Sequence, residues 1–466
     1  MGDVGRTFCI TRAVVCLCGV TRPACDRVVM AETPAHHAPG GRFRNPWPSF
    51  TDLMVQPRSV LKMIIESAKR ELRRPRRHVA LPRVRNPRVD LIAALCGGAA
   101  VGSRVAAWEP SRPRLAGARD SPVHTPSSPS CDGGFSGIQA TWIGHATWLV
   151  QMNGLTIVTD PVWSERASAV QFAGPARAQP PGVALADIPK VDVVVVSHDH
   201  YDHLDYGSVQ QLLERHADAQ WFVPLGVRQW MLDAGAPPQH VHEMDWWDAA
   251  TLRTTDKGEP RVELKQAYGR NREENEAIGS DEASGPRELQ LVCTPCQHNS
   301  GRYAQTTRNT LWASFCLIGG VEDLKFFFSG DTAYRGQPLD FVDTVEARDE
   351  LPSCPAFKQI GERVGPFDLA ALPVGAYEPR WFMSHIHTDP DDAVCIHRDV
   401  KSHHSVGMHW GTFKLTTEAL DEPPARLRQA LDDRNVPQED FVCVEHGETI
   451  RVGKGGARVD LPAAAP

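Results

Sequence analysis

A run of four valines, Val193–Val196, leads directly into the string Ser-His-Asp-His-Tyr-Asp-His. A short β-branched run is typical of a buried strand, so the string should lie where that strand ends. The i, i+2 spacing of His198 and His200 puts both rings on one side of an extended chain, and Asp202 and His203 follow at once. Imidazole and carboxylate together suit Zn²⁺ or a similar first-row metal, Fe and Mn included. A solvated His-rich loop is the alternative, which the position behind a buried strand disfavours.

The composition limits the classes of protein to which the chain can belong. With 466 residues, 41% of them hydrophobic, the chain can form one large domain with appendages or two domains. A net charge of −7 and a pI of about 6.3 argue against nucleic acid as a partner. The 12 cysteines show no disulfide pattern, so we expect reduced thiols. We interpret the pair Cys293-x-x-Cys296 as ordinary residues at a strand end.

The sequence predicts an intracellular protein, either cytoplasmic or peripheral on internal membranes. No stretch reaches the roughly 18 consecutive apolar residues that a spanning helix needs. Arginines and a short apolar patch in the first 30 residues leave organelle targeting by the N-terminal tail as an alternative.

The chain divides into five predicted segments. They are a variable or disordered N-terminal tail at 1–42, a membrane-facing segment packed on the core at 43–109, a flexible Pro/Ser-rich insert at 110–137, a main domain at 138–452 and a C-terminal tail at 453–466. From Val60 to Arg73 the apolar positions share one helical face and the opposite face is basic. This helix either lies in an anionic membrane interface or packs on the main domain with its basic face in water. We also expect surface inserts at 268–287 and 335–354.

Alternating strands and helices in the main domain predict a layered fold of the α/β class. We predict strands at 138–143, 147–152, 155–159, 191–197, 289–293, 324–328, 369–373, 405–409 and 441–444, and helices at 206–216, 226–234, 355–363, 390–400 and 424–435.

Three further candidate ligands, His298, Asp331 and His409, each follow an apolar run. Singly each would be weak evidence, but together they complete two ligand sets. One ion would be bound by His198, His200 and His298, the other by Asp202, His203 and His409, with Asp331 bridging both. Two cations about 3.5–4 Å apart lower the pKa of the water between them, which makes hydroxide available near neutral pH.

Groups next to a metal site usually orient its imidazoles by hydrogen bonds. Asp160, in Thr159-Asp160-Pro161 at another strand end, is the leading candidate for this role. His145 is a candidate to line the same mouth, with a purely structural role as the alternative.

Strings of residues throughout the main domain match a known family. They are Thr141–Thr147, Thr159–Pro161, Ser197–Asp205, Trp221–Gly226, Asp245–Trp247, Phe327–Thr332, Gly365–Ala370, Gly375–Met383 and His409–Phe413, with Asn45–Pro48 near the start. In these strings the chain resembles the metallo-β-lactamase superfamily and, within it, the N-acylphosphatidylethanolamine-hydrolysing phospholipases D. The His-x-His-x-Asp-His cluster marks only the superfamily, whereas the Tyr377–Met383 and His409–Phe413 strings point to the narrower family.

The resemblance implies an αβ/βα four-layer sandwich of the metallo-β-lactamase type, with two Zn²⁺ ions on the seven ligands above. It implies a phosphodiesterase that hydrolyses N-acylphosphatidylethanolamines to N-acylethanolamines and phosphatidic acid, and our hypothesis is that a metal-bridging hydroxide attacks the phosphorus. A phospholipid substrate, a peripheral contact with a membrane surface and a homodimer are the implied partners. Asp331 and His387 are the candidate catalytic residues, His387 near the substrate phosphate. Tyr377 and Arg380 are candidates for contact with the ligands or the substrate.

Two alternatives remain open on the sequence. Another hydrolase of the same fold, such as a nuclease, a lactonase or a cyclic-phosphate hydrolase, could use the same ligands, because a fold does not select a substrate. A nuclease would want a basic groove, and the catalytic region lacks a dense stripe of Lys and Arg. A metal-bearing membrane or scaffold protein without turnover is the second alternative, which the complete ligand set disfavours.

Overall fold

The computed structural model describes residues 35–50, 62, 136–254, 260–266, 288–302, 308–320 and 322–458. The predicted basic helix, apart from Lys62, lies outside the described residues. So do almost all of the inserts predicted at 110–137 and 268–287. Within the described ranges, no helix combines the length and the apolarity needed to cross a membrane.

Two mixed β-sheets and a short N-terminal hairpin contain the described strands. The strands are β1 His37–Ala38, β2 Arg42–Phe43, β3 Ile138–Gly144, β4 Thr147–Met152, β5 Leu155–Thr159, β6 Val193–Val195, β7 Gln220–Pro224, β8 Val241–Met244, β9 Ala249–Thr254, β10 Pro260–Lys265, β11 Glu288–Thr294, β12 Ser314–Gly319, β13 Leu324–Phe328, β14 Phe367–Pro373, β15 Ser402–Met408, β16 Phe441–Cys443 and β17 Thr449–Val452. The first sheet has the order β17-β3-β4-β5-β6-β7-β8, and the second has the order β10-β9-β11-β12-β13-β14-β15-β16. The hairpin pairs β1 with β2.

Helices cover the outer faces of both sheets. Those in the described ranges are α1 Tyr206–Arg215, α2 Arg228–Asp233, α3 Val345–Asp349, α4 Ala356–Arg363, α5 Arg380–Met383, α6 Pro390–Asp399 and α7 Pro423–Asp433. Local sequence explains where two of them begin. Asp205 accepts a hydrogen bond from the backbone N–H of Ser208 at the start of α1, and Asp389 does the same for Asp392 at the start of α6, where Pro390 follows the cap.

The four-valine run shows how the layers are built. Val193 and Val195 pack into the core between the two sheets, whereas Val194 and Val196 pack with residues of α1 and α2 on the outer face. Because β6 is buried on both faces, it reads as a continuous apolar run rather than an alternating one. The other sheet is covered by α4, α6 and α7, whose buried residues join the main core. The result is the predicted αβ/βα sandwich.

The direction of the strands determines where the functional residues lie. In the first sheet β5, β6, β7 and β8 are parallel. In the second sheet β13, β14 and β15 are parallel, and β11 runs in the same direction because it is antiparallel to β12, which is antiparallel to β13. The carboxyl ends of these strands therefore lie at one edge of each sheet, where the loops that carry ligands begin.

The structure differs from the sequence prediction at both ends of the main domain and at the second insert. Residues 35–42, predicted as tail, contain the β1/β2 hairpin, and in the predicted C-terminal tail Gly455 donates to Asp368. The segment 335–354, predicted as a surface insert, buries Arg335 and Arg348. Their guanidinium groups enter the fold because they pair with buried carboxylates of α6 and its cap, Asp392 and Asp389. The division into five segments itself stays a prediction.

The cysteines in the described residues are free thiols, as expected, and most of them are buried. Burial raises the pKa of Cys293 and of Cys296 well above the ordinary value of a thiol. A buried thiol with a raised pKa is unreactive, which agrees with a packing role for this pair.

Candidate metal centre

The seven predicted ligands come together at the carboxyl ends of four strands. The loop after β6 carries His198, His200, Asp202 and His203, and single residues follow β11 (His298), β13 (Asp331) and β15 (His409). His200 and Asp202 are half-buried and the other five are buried. The centre thus opens to water on the side of these two residues.

The first group consists of three imidazoles. Nδ1 of His200 lies 2.9 Å from Nε2 of His198 and 3.3 Å from Nε2 of His298. The three nitrogens therefore face one point, and together they are one of the residue groups able to hold a metal ion.

The second group combines two imidazoles and one carboxylate. Nε2 of His203 lies 3.4 Å from Nε2 of His409, and Oδ2 of Asp202 lies 3.6 Å and 3.4 Å from these two nitrogens. This set of nitrogen and oxygen donors also suits a first-row cation.

Asp331 faces both groups. Its Oδ2 lies 3.1 Å from Nε2 of His203 and 3.7 Å from Nε2 of His298, and its Oδ1 lies 3.1 Å from Nε2 of His409. Among the described residues, the buried Oδ1 has no contact within hydrogen-bonding range other than this imidazole. Two ligands of one tetrahedral zinc ion stand about 3.3 Å apart, so these spacings fit donors arranged around cations. That the seven residues bind metal stays a prediction.

For Asp331 and for two histidines of the first group, the surroundings favour the protonation states that metal ligands need. Burial alone would raise the pKa of Asp331, but the positive charges on His203 and His409 hold it well below its ordinary value. Burial lowers the pKa of His198 and of His298 well below 6.5, so both imidazoles are neutral. Ionised carboxylates and neutral imidazoles are the forms that bind cations.

The two histidines of the second group experience the opposite effect. Burial disfavours their charge, yet Asp331 and Asp202 raise the pKa of His409 to about 9 and that of His203 well above 6.5. The carboxylates therefore favour positive charge here, which a bound cation would supply in place of the protons.

Asp160 orients one ligand directly and a second through a serine. Its Oδ2 lies 2.6 Å from Nδ1 of His203 and also accepts a hydrogen bond of 2.6 Å from Oγ of Ser197. Oγ of Ser197 in turn lies 2.9 Å from Nδ1 of His198. In the same group, Nδ1 of His298 donates to the carbonyl of Ile386 at 2.7 Å. Each contact leaves Nε2 free to face a cation.

His145 lies behind Asp202 rather than at the mouth. Its side chain is buried, and its Nε2 lies 2.9 Å from Oδ2 of Asp202. Burial, with a further contribution from His409, lowers the pKa of His145 to about 3, so the ring is a neutral donor to that carboxylate. This contact can orient a predicted ligand, and the role of His145 at the mouth of the centre stays a prediction.

His387 lies at the centre without belonging to either group of ligands. Its Nε2 is 3.8 Å from Oδ2 of Asp331, and its ring centroid is 5.2 Å from that of His409. Burial lowers its pKa to about 4, and its buried Nδ1 has no hydrogen-bond partner in the described structure. A neutral imidazole with one free nitrogen can hold a phosphate oxygen or take part in proton transfer.

Arg380 and Tyr377 support the centre from outside. Arg380 donates to the carbonyl of His387 at 3.0 Å and to Asp392 at 2.7 Å, so it holds the loop that carries His387. The hydroxyl of Tyr377 donates to Glu422 at 2.9 Å, just before α7. These polar groups make internal contacts, and a role of Tyr377 or Arg380 toward the substrate stays a prediction.

The sequence analysis missed two residues that shape the centre. Ser197 connects Asp160 to His198, and its position at the start of the ligand string was an available signal. Asn45 donates to the backbone carbonyl of His298 at 2.6 Å from 253 positions away, which no local pattern could indicate.

Comparison with known proteins adds family evidence to this geometry. Residues 156–410 match the model of the beta-lactamase superfamily domain. The N-acyl-phosphatidylethanolamine-hydrolyzing phospholipase D 1 of Caenorhabditis elegans is 39% identical over 318 residues, which cover 67% of this chain and 75% of that protein. A mitochondrial N-acyl-phosphatidylethanolamine-hydrolyzing phospholipase D of Saccharomyces cerevisiae is 29% identical over 66% of this chain and 55% of its own length.

Among solved structures, a metallo hydrolase from Ignicoccus hospitalis aligns over 68% of this chain and 98% of its own. The TM-score is 0.42 and the sequence identity is 18%.

Proposed function

The chain belongs to the metallo-β-lactamase superfamily and, within it, to the family of N-acylphosphatidylethanolamine-hydrolysing phospholipases D, and we propose from this premise that it hydrolyses N-acylphosphatidylethanolamines to N-acylethanolamines and phosphatidic acid. We further propose that it does so with two zinc ions, at a membrane surface that it contacts peripherally, and as a homodimer.

The observation that carries the proposal is the position of Asp331 between the two groups of donors. His198, His200 and His298 would hold one cation, and Asp202, His203 and His409 would hold the other, with Asp331 shared. A pair of cations would lower the pKa of a shared water and stabilise negative charge on the phosphodiester.

The chain's own residues would perform the remaining tasks. The neutral ring of His387, next to Asp331, would hold a phosphate oxygen or carry a proton. Asp160 and His145 would keep His203 and Asp202 in the orientation that the cations require. Arg380 would hold the backbone of His387 in place.

A lipid substrate is further supported by an apolar loop beside the centre. In the loop at 164–178, Phe172 is 86% exposed and its neighbour Val170 is 39% exposed. Arg166 stiffens the turn by donating to the carbonyls of Gln171 at 3.2 Å and Gly174 at 2.6 Å. We propose that these two exposed apolar side chains insert into the lipid surface, since apolar side chains beside basic residues suit a membrane interface.

The base of this loop lies close to the second group of ligands. Ala178 donates to the carbonyl of Thr412 at 2.7 Å, and the ring of the next residue, Phe413, lies 5.2 Å from that of His145. The loop is therefore connected at its base to residues next to the centre, and we propose that its exposed apolar side chains contact the acyl chains of a bound lipid.

The test combines metal analysis with a panel of substrates. We expect about two zinc ions per chain and release of N-acylethanolamine from N-acylphosphatidylethanolamine, with little hydrolysis of phosphatidylcholine, a bis-aryl phosphodiester, a lactone or single-stranded DNA. The control is Asp331→Asn, which keeps the shape of the side chain but removes its charge, and it should lower turnover by orders of magnitude without loss of folding. Preferential cleavage of any other substrate, or full activity of Asp331→Asn, would refute the proposal.

A further inference from the structure

The N-terminal residues 35–50, here called the strap, are fastened to the core at one end by a carboxylate. Nε2 of His36 lies 2.6 Å from Oδ1 of Asp245, and Nε2 of His37 lies 2.8 Å from Oδ2 of the same residue. The ring of His36 also stacks on that of Trp246 at a centroid distance of 4.1 Å. The strap thus begins at a fixed point just after β8.

Two histidines and a carboxylate could in principle form a metal site, but their spacing indicates a hydrogen-bonded clamp. Each oxygen of Asp245 has its own imidazole at 2.6 or 2.8 Å, which is the length of a charge-assisted hydrogen bond. Ligands of one zinc ion would stand about 3.3 Å apart. In the metal centre the spacings between ring nitrogens are 2.9, 3.3 and 3.4 Å.

The other end of the strap contacts the residues that carry a metal ligand. Nδ2 of Asn45 donates to the backbone carbonyl of His298 at 2.6 Å. Oγ of Ser49 donates to Oε1 of Gln297, and Nε2 of Gln297 donates to the carbonyls of Ser49 at 3.3 Å and His385 at 3.2 Å. Gln297 is completely buried, so these contacts replace its hydrogen bonds to water.

Gln297 also connects the strap to the residues that follow Asp331. The backbone N–H of Gln297 donates to Oγ1 of Thr332 at 3.0 Å, and its carbonyl accepts from the N–H of Ala333 at 2.7 Å, next to Asp331. Close packing is required here. A Cβ on Gly336 would lie 2.2 Å from Nδ1 of His385 and 2.7 Å from the carbonyl of Ser49.

We infer that the strap is part of the metal centre and that Asn45 is a positioning residue for His298. Asn45 fixes the peptide from which the imidazole projects, while Nδ1 of that imidazole is fixed separately by Ile386. Metal ligands tolerate errors of only about 0.5 Å, so a loose peptide would weaken the first ion's site. The inference rests on the metal centre of the proposed function and is independent of its substrate.

The test measures metal binding by the full chain rather than activity. The variant is Asn45→Ala, and the matched control is Arg42→Ala, which changes an exposed residue of the same strap. Metal-free protein is titrated with Co²⁺ and followed by its visible absorption, which reports the geometry of the coordinating side chains. We expect Asn45→Ala to bind the first Co²⁺ about 10- to 100-fold more weakly, with an altered spectrum, and Arg42→Ala to bind like the wild type.

A second variant covers the case in which Asn45→Ala does not fold. Ser49→Ala removes only the hydroxyl that contacts Gln297, and it should weaken Co²⁺ binding severalfold. Wild-type affinity and spectrum in whichever of these variants fold would overturn the inference while leaving the proposed function intact. Weakened Co²⁺ binding in the variants, together with no phospholipase activity of the zinc-loaded wild type, would support the inference and refute the proposed function.

Discussion

Nδ1 of His203 lies 2.6 Å from Oδ2 of Asp160, and both side chains are completely buried. The contact keeps a proton on Nδ1 of His203, so Nε2, which faces Asp331 and His409, is the nitrogen that would bind a cation in place of its own proton. The carboxylate is itself held by two hydrogen bonds from Ser197. One residue outside the ligand set therefore determines the tautomer of a ligand.

Replacing Asp160 with Asn should weaken the second ion's site about 10- to 100-fold. An amide can present its N–H₂ to Nδ1, which would favour the wrong tautomer. Asparagine tolerates the positive φ of 34° at this position, so the backbone should be retained. Zinc content is measured after equilibration with chelator-buffered zinc, with the exposed Asp187→Asn as control. Equal zinc content in Asp160→Asn and the wild type would contradict the assigned role.

Phe172→Ser should lower the affinity for phospholipid vesicles about tenfold or more. Burial of a phenylalanine side chain contributes about 1.5–3 kcal/mol, and this side chain is 86% exposed in the protein alone. Binding is measured by co-sedimentation with vesicles. Leu264→Ser, which also removes a partly exposed apolar side chain, on the edge strand β10, is the control. A similar loss in both variants would mean that the loop has no special contact with lipid.

The predicted basic helix at 60–73 should be tested by substitution rather than by deletion. Removal of residues 43–77 would also remove Asn45 and Ser49, which contact the peptides next to the metal centre. Changing Lys69, Arg70 and Arg73 to Gln should lower binding to anionic vesicles about fivefold for each charge, and should have little effect on neutral vesicles.

Lys62 is left unchanged in this experiment because its Nζ lies 5.4 Å from the ring centroid of Trp381. Unaltered binding to anionic vesicles would favour the alternative in which the helix packs on the main domain.

His397 should make the fold less stable in mild acid. Burial lowers its pKa from 6.5 to about 4, so protonation favours the unfolded chain, and the stability present above pH 6.5 is lost between pH 6.5 and pH 4. Between pH 7 and pH 5 this loss amounts to about 2 kcal/mol. The substitution His397→Gln removes the titration while leaving a polar group near Ser405, which now lies 2.8 Å from Nδ1.

The measurement is urea unfolding of metal-free protein at pH 7 and pH 5. The wild type should lose about 2 kcal/mol more of its free energy of unfolding than His397→Gln over this interval. Equal losses would show that His397 is not the group responsible.

The clustering of the seven candidate ligands was predictable from sequence because each follows a strand, and the carboxyl ends of strands that run in one direction meet at one edge of a sheet. The run Val193–Val196 predicted a strand buried on both faces. The polar string after it therefore had to lie at the end of that strand. The position of His298 after β11 was predictable for the same reason. Its partner Asn45 was not, because a hydrogen bond between a distant side chain and a backbone carbonyl leaves no periodic signal.

Buried charges account for one difference between prediction and structure. Arg335 and Arg348 lie in a stretch that reads as polar surface, yet they are buried against Asp389 and Asp392. A sequence pattern shows the charge of a residue but not the partner that makes its burial tolerable. The strands β7, β8, β9, β10, β12 and β17 were also not predicted. For the edge strand β10 the reason is that its residues are mostly exposed, so its stabilising contacts come from pairing with β9.

The half-buried positions of His200 and Asp202 have a consequence for how the enzyme would lose its ions. Each belongs to a different donor group, and the other five donors are closed off from solvent. Both ions would then exchange with bulk solution through the opening at His200 and Asp202. A phosphate ester would enter through the same opening. A molecule bound in this opening should slow the removal of zinc by a chelator. Saturating lipid product should therefore protect the zinc-loaded enzyme against inactivation by the chelator.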